Sequence, residues 1–305
     1  GPRPGETILF GRTRHQVTTI TQPAYAKLNL TLDILGRRPD GYHELRSVMQ
    51  LTSLSDEVEL DVGTGEDWKL ECDAPGIPTD GTNLAWKAAG LFYQTLGKDP
   101  QGISIRLQKR IPSQAGLGGG SADAAAVLLA LNRHEGQPLS QRQLLKLAAK
   151  LGSDVPFCLT GGTQLAAGRG EVLSPLPDMP DCFFLVVKPE FSVSTPELYA
   201  ALDQEAEVFH PRTEAMEQAL RQGELLQVAG YLGNSFEPLV ARKHPGLLAI
   251  RAMMEDCGAL GVAMTGSGSA LFGIFDAFDM AAMASMKLME HHQTFLCRNL
   301  KAEEL

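Results

Sequence analysis

The stretch Pro112-Ser113-Gln114-Ala115-Gly116-Leu117-Gly118-Gly119-Gly120-Ser121-Ala122 sets four glycines and a serine directly before residues 122–132. That alanine- and leucine-rich run is predicted to be a helix. Glycine removes the Cβ atom and permits positive φ, so consecutive backbone N–H groups can turn toward one anion. The helix behind adds its unpaired N–H groups and the positive end of its dipole. The pattern reads as a phosphate cradle, with a surface loop that merely precedes a helix as the plain alternative. Neither common glycine signature is present. There is no Gly-Lys-Ser/Thr ending of a P-loop, and no G-x-G-x-x-G spacing with a ribose-binding acid. Ser121 suits a helix N-cap, or would set its hydroxyl on a phosphate-bound Mg²⁺.

Ahead of this loop, residues 24–35 alternate: Ala26, Leu28, Leu30, Leu32 and Ile34 against Lys27, Asn29, Thr31 and Asp33. That is the period of a half-buried strand with a polar second face. Arg37-Arg38-Pro39-Asp40-Gly41 is a turn, and residues 42–51 continue on an extended or helical path. Residues 56–62 and 68–72 are expected as strands of an antiparallel sheet. A helix over 84–96 ends before Gly97, and a strand over 103–107 delivers the chain to the glycine loop. A second amphipathic helix over 139–151 has Gly152 as its stop. Strands and helices alternate irregularly, which favours an α+β fold.

The proline-rich seam 173–180 is the best boundary, giving one domain over 21–175 and another over 176–305, with residues 1–20 as an N-terminal extension. The second domain is expected to hold a strand at 182–188, helices across much of 196–255, strands at 259–264 and 270–275, a helix at 277–290 and a last strand near 294–299.

A chain of 305 residues with net charge −9 is long enough for a full core. It lacks the basic balance that nucleic-acid binding favours. ATP is not disfavoured, because a local cradle handles phosphate whatever the global charge. Cys72, Cys158, Cys182, Cys257 and Cys297 are scattered, odd in number and without C-x-x-C spacing, so reduced thiols are expected. The apolar runs are too short to span a bilayer, and no signal peptide is visible. These readings suit a reducing compartment.

Three more clusters carry possible chemistry. Lys27 and Asn29 share one face of the first strand, either as site residues or as a solvated edge. Asp154 lies just past a helix end beside Val155-Pro156-Phe157, as a general base or a turn aspartate. Thr265-Gly266-Ser267-Gly268-Ser269 lies between two strands, as anion donors or a tight hairpin turn.

In order and combination these segments resemble the motifs of the galactokinase–homoserine kinase–mevalonate kinase (GHMP) superfamily. The first motif is Ala24-Tyr25-Ala26-Lys27-Leu28-Asn29-Leu30, the second the glycine loop, and the third residues 264–270. Lys27-Leu28-Asn29-Leu30, followed by Arg38-Pro39-Asp40-Gly41-Tyr42-His43-Glu44-Leu45, resembles the branch that phosphorylates a cytidine-diphosphate-linked methylerythritol in the non-mevalonate isoprenoid route. Leu151-Gly152-Ser153-Asp154-Val155-Pro156-Phe157 also fits. Asn234-Ser235-Phe236-Glu237 departs from the more usual Asn-Asp-Phe-Glu. The likeness runs from about residue 21 to near the C-terminus.

The resemblance implies a two-domain GHMP kinase fold, with a ribosomal-protein-like N-terminal domain, a ferredoxin-like C-terminal domain and the site in the cleft between them. It implies ATP phosphates on residues 112–122, above all 116–121, with Asn83 and Lys109 near the nucleotide and Mg²⁺ held with help from Ser121. Tyr42 and His43 would bind cytosine, with Tyr199, where many relatives have Phe, closing the other face. Asn29 and Thr195 would lie near substrate hydroxyls, and Gly168-Arg169-Gly170-Glu171 would offer backbone contacts to the diphosphate. Lys27 and Asp154 would be the catalytic pair. A small molecule is the implied partner, with no nucleic acid and no membrane, for a monomer or homodimer. The alternatives are a mevalonate- or homoserine-type kinase, and a non-catalytic nucleotide-binding protein. The former's substrates carry no base for Tyr42 and Tyr199 to stack on.

Overall fold

The computed structural model describes residues 16–305, so most of the expected 1–20 extension lies outside the described residues. The chain runs β1 (Thr18–Arg37), β2 (His43–Val62), β3 (Lys69–Cys72), α1 (Leu84–Leu96), β4 (Ile103–Gln108), α2 (Gly119–His134), α3 (Gln141–Leu151), α4 (Val155–Thr160), β5 (Thr163–Ala167) and β6 (Val172–Pro175). It continues through β7 (Phe183–Lys188), α5 (Thr195–Asp203), α6 (Thr213–Gln222), α7 (Leu225–Gly230), β8 (Gly233–Asn234), α8 (Glu237–Lys243), α9 (Gly246–Asp256), β9 (Gly261–Met264), β10 (Leu271–Phe275), α10 (Phe278–Leu288) and β11 (Gln293–Arg298).

One sheet has the order β3-β4-β2-β1-β8, with β5 pairing β2 and β6 pairing β5; a four-stranded sheet has the order β11-β7-β10-β9. The long antiparallel β1–β2 ribbon is the spine. Its register shifts between Tyr25 and Lys27, Asn29 and Thr31, and Ile34 and Gly36. Such irregularities re-aim side chains, and they bracket Lys27 and Asn29.

Several expectations need correction. Residues 43–62 form one continuous strand. The segment near 68–72 pairs parallel with β4, not antiparallel with residues 56–62, because β4 takes the place beside β2. The first strand is no solvated edge: β1 lies between β2 and β8, and Lys27 is only 4% exposed. Its polar face is covered by the 265–266 turn and by Thr213 and His210, so both faces are buried. Ser121 is not an N-cap. Helix α2 begins three residues earlier than expected, with Gly118 as its cap at φ 69°.

The helix stops conform to their chemistry. Gly97 ends α1 at φ 64°. Gly152 ends α3, which starts from a reciprocal Ser140–Gln143 capping box. The alanine run of α2 buries Ala122, Ala124, Ala125, Ala126 and Ala130, so this helix sits close on the sheet and fixes the glycine loop at its N-terminus. No helix among the described residues is long and apolar enough to cross a membrane.

Candidate active site

The glycine loop is locked to two neighbours by backbone approach. Gly116 has φ 81°, and a Cβ there would stand 2.1 Å from the Thr265 carbonyl oxygen. Ala270 N–H donates to the Ala115 carbonyl at 3.0 Å, and Lys27 N–H to the Leu117 carbonyl at 3.0 Å. A Cβ on Gly118 would meet Lys27 Cγ at 3.0 Å, so the missing side chain is what lets the lysine pass. The 265–269 turn is therefore both a hairpin turn and a wall of the loop.

Within residues 112–122 the roles separate. Pro112 has no N–H to give. Ala115 and Leu117 are buried, their carbonyls already accepting. Ala122 is buried and its N–H closes the first helical bond, to Gly118, so it is withdrawn from any anion. Gly119, Gly120 and Ser121 lie ahead of that bond, where helical N–H groups have no partner within the helix. Ser113 is exposed at the rim.

A cavity of about 370 Å³ lies over this loop, lined by Asn83, Lys109, residues 111–120 and Asp123 among others. Asn83 caps α1, accepting from Ala85 N–H and donating to the Pro78 carbonyl. Lys109 Nζ donates to Asp123 Oδ2 at 2.8 Å and to Asp56 Oδ2. Burial opposes the Lys109 charge, but Asp123 and Asp56 outweigh it and hold the ammonium form above its usual range. Burial drives the Asp123 carboxyl well up, against the pull of Lys109. Asp123 Oδ1 has no hydrogen-bond partner.

A larger cavity of about 720 Å³ gathers Lys27, Asn29, Gln114, Gly116, Gly118, Asp154, Thr195 and Tyr199, distant in sequence, with Arg169 and the turn glycines 266 and 268. Lys27 Nζ lies 3.9 Å from Asp154 Oδ2 and donates to Asn29 Oδ1 at 2.6 Å. Asn29 Oδ1 also takes the Gly266 N–H at 3.0 Å, and its Nδ2 donates to Ser47 Oγ at 2.9 Å. Asn29 lines the cavity; its side-chain oxygen is spent on pinning Lys27 and the third motif, while Nδ2 gives one of its two N–H groups to Ser47. Asp154 heads α4 without capping it, and so keeps its carboxylate for the cavity. Thr195 Oγ1 pairs with Ser267 Oγ at 2.7 Å.

The aromatic corner is arranged differently from a simple sandwich. His43 stacks on Tyr199 at 4.5 Å between centroids, and its Nε2 pairs with Asp203 Oδ1 at 2.7 Å. Tyr42 is exposed and carries the Arg169 guanidinium on its ring. Burial, with Asp154 nearby, pushes the Tyr199 phenol up to about 12. Gly168 is outside the cavity lining, and its backbone is occupied: its N–H donates to Glu44 Oε1 and its carbonyl accepts from Leu45.

Two features escape the sequence reading. Arg169 contributes a side chain where only backbone contacts are expected of its segment. Asn234 donates to the carbonyls of Met264 and Gly266, and Glu237 Oε1 accepts from Met264 N–H. The Asn234-Ser235-Phe236-Glu237 motif thus braces the third motif. Its shared spacing with the other motifs is the signal; its role needs the fold.

The chain matches the GHMP kinases N terminal domain over residues 83–162 and the GHMP kinases C terminal domain over 214–286. It is 41% identical over 280 residues to a 4-diphosphocytidyl-2-C-methyl-D-erythritol kinase of Caldicellulosiruptor saccharolyticus, covering 90% of this chain and 96% of the relative. It is similar to a crystal structure of 4-(cytidine 5'-diphospho)-2C-methyl-D-erythritol kinase, with TM-score 0.78, 38% identity, and coverage of 92% and 99%. A homoserine kinase from Cytophaga hutchinsonii, at TM-score 0.74 and 19% identity over 97% of this chain and 99% of that one, shares the fold. The chain belongs to the GHMP kinases and, among them, to the 4-diphosphocytidyl-2-C-methyl-D-erythritol kinase family.

Proposed function

We propose that this enzyme transfers the γ-phosphoryl group of ATP to the 2-hydroxyl of 4-diphosphocytidyl-2-C-methyl-D-erythritol, the compound in its relatives' name, giving the 2-phosphate and ADP. The observation that carries the reading is the buried Lys27 beside Asp154, in one cavity with the glycine loop and with Tyr199. Asp154 accepts the hydroxyl proton as the oxygen attacks phosphorus and the bond to the ADP oxygen breaks. Lys27 neutralises charge on the phosphoryl oxygens and holds the carboxylate in place. Phosphoryl transfer asks for this kind of positioning and charge stabilisation.

The free N–H groups at the start of α2 take the phosphates. Asn83 and Lys109 border the nucleotide from the smaller cavity. The hydroxyl of Ser121, set ahead of the first bonded turn of α2, would help hold Mg²⁺ among phosphate and water ligands, and the ion would supply charge neutralisation on the triphosphate. His43, Tyr42 and Tyr199 form the cytosine end, Asn29 and Thr195 frame the rest, and Gly168, its backbone held by Glu44 and Leu45, anchors the segment rather than touching the substrate.

The two halves divide near residue 175, as 21–175 and 176–305. The enzyme acts as a monomer or a homodimer. The enzyme works in a cytoplasm, or in a stroma if plastid-borne, apart from nucleic acid and membrane. Incubation with ATP, Mg²⁺ and the cytidylyl compound, followed by phosphorus NMR, should show a new phosphomonoester and ADP. Phosphorylation of homoserine or mevalonate, with none of the cytidylyl compound, would overturn the assignment. ATP binding without transfer to any of these alcohols would favour the non-catalytic alternative.

A further inference from the structure

Arg169 is a cation without a counter-charge inside the larger cavity. No carboxylate among the described residues pairs with its guanidinium, and its Nε is buried with no hydrogen-bond partner. Lys27, the other cation lining that cavity, is already engaged by Asp154 and Asn29. The Arg169 guanidinium carbon stands 3.7 Å from the centroid of the Tyr42 ring. Stacking uses the flat face of the group and leaves its in-plane N–H fork free.

The backbone beneath is fixed on both sides. Gly168 is held by Glu44 and Leu45, Gly170 N–H donates to the Ala167 carbonyl at 3.0 Å, and Arg169 N–H donates to Glu171 Oε2 at 2.9 Å. A guanidinium held this way, with unused donors facing a cavity, suits a ligand with paired phosphate oxygens, which it can grip bidentately.

We propose that the Arg169 side chain binds the diphosphate of the cytidylyl substrate, with Tyr42 holding the guanidinium flat for that contact. The proposal rests on the cytidylyl reading above. It assigns to a side chain the charge recognition that separates a nucleoside diphosphate from a bare nucleoside.

The test is calorimetric binding of CDP and of cytidine to wild type, Arg169→Gln and Arg169→Lys, with the KM for ATP measured in parallel. Arg169→Gln should lose about 10- to 100-fold in CDP affinity, the size of a lost charge-assisted pair. Cytidine affinity and the KM for ATP should not move. Arg169→Lys should recover part of the loss, because it restores charge but not the fork. The side chain is only half-buried and makes no ion pair, so the variants should fold. An unchanged CDP-to-cytidine ratio in Arg169→Gln would overturn the proposal and leave the cytidylyl reading intact. A rise in the KM for ATP with CDP binding unaltered would overturn it in favour of the nucleotide triphosphate. Failure of wild type to bind either ligand would remove the cytidylyl reading itself, and the proposal with it.

Discussion

Substituting Gly116 by alanine tests whether the glycine loop works through its contact with the third motif. The new Cβ would lie 2.1 Å from the Thr265 carbonyl oxygen and 2.9 Å from its carbon, where ordinary contact begins at 3.4 Å. The two backbones must therefore part by more than 1 Å. That movement strains three bonds at once: Thr265 Oγ1 to the Gly116 carbonyl, Gly266 N–H to Asn29, and Ala270 N–H to the Ala115 carbonyl. Asn29 also fixes Lys27 Nζ, so the displacement reaches the reacting centre. A misplacement of about 1 Å can cost about 10²-fold in rate, and kcat should fall by about that factor. Gly97→Ala is the matched control. Its φ is also left-handed, at 64°, but nothing lies within 4 Å of the added Cβ. It should cost about 1 kcal/mol of stability from backbone strain and leave kcat unchanged. Steady-state kinetics on both variants, with thermal melts to confirm folding, decide the matter. A folded Gly116→Ala enzyme with kcat within threefold of wild type would refute the idea that this contact sets the geometry.

Asp154→Asn keeps the shape but removes the base; kcat should drop by roughly two to four orders of magnitude with ATP affinity little changed, as read by single-turnover phosphoryl transfer and nucleotide titration. Activity within tenfold of wild type would eliminate the base role. The Tyr199 phenol, raised by burial to about 12, should be one of two late-titrating tyrosines in ultraviolet phenolate titration, Tyr93 being held higher still by burial and Glu135, and only the earlier of the two steps should vanish in Tyr199→Phe. The sign follows from linkage: a folded value above the unfolded one stabilises the protein below about pH 10. That contribution, about 2 to 3 kcal/mol for two pH units, is lost as pH rises toward 12, and Tyr199→Phe should lack this share of the loss while keeping the share due to Tyr93.

Much of the site was legible in the sequence because its segments keep local signatures. The glycine run, the Lys27–Asn29 alternation and the Gly152-Ser153-Asp154 helix junction can each be read where they stand. Burial was not legible. The alternation of residues 24–35 predicts one solvated face, yet Lys27, Asn29, Thr31 and Asp33 are all buried, because chain more than a hundred residues downstream closes over them. The Ser121 position failed for a related reason. Capping preferences assume that a side chain must satisfy the helix start, whereas here the αL geometry of Gly118 opens the helix early and leaves its donors unclaimed. Arg169 was hidden because an arginine between two glycines has no sequence signature of being unpaired.

The missing P-loop lysine is explained by these same contacts. A lysine inside the loop would swing with it. In this chain the cation comes from the sheet's central ribbon, threads past the bare Cα of Gly118, and is held by Asn29. Asn29 in turn holds Gly266 of the third motif. Loop, cation and third motif are thus fixed to one another by short contacts, and the charge proposed to stabilise phosphoryl transfer sits on a strand rather than on the proposed phosphate-binding turn. Preorganised charge of this kind needs no rearrangement as the reaction proceeds. This explains why Asn29, whose side-chain oxygen is shared among Lys27, Thr265 and the Gly266 N–H, belongs to the proposed site beside Lys27 and Asp154.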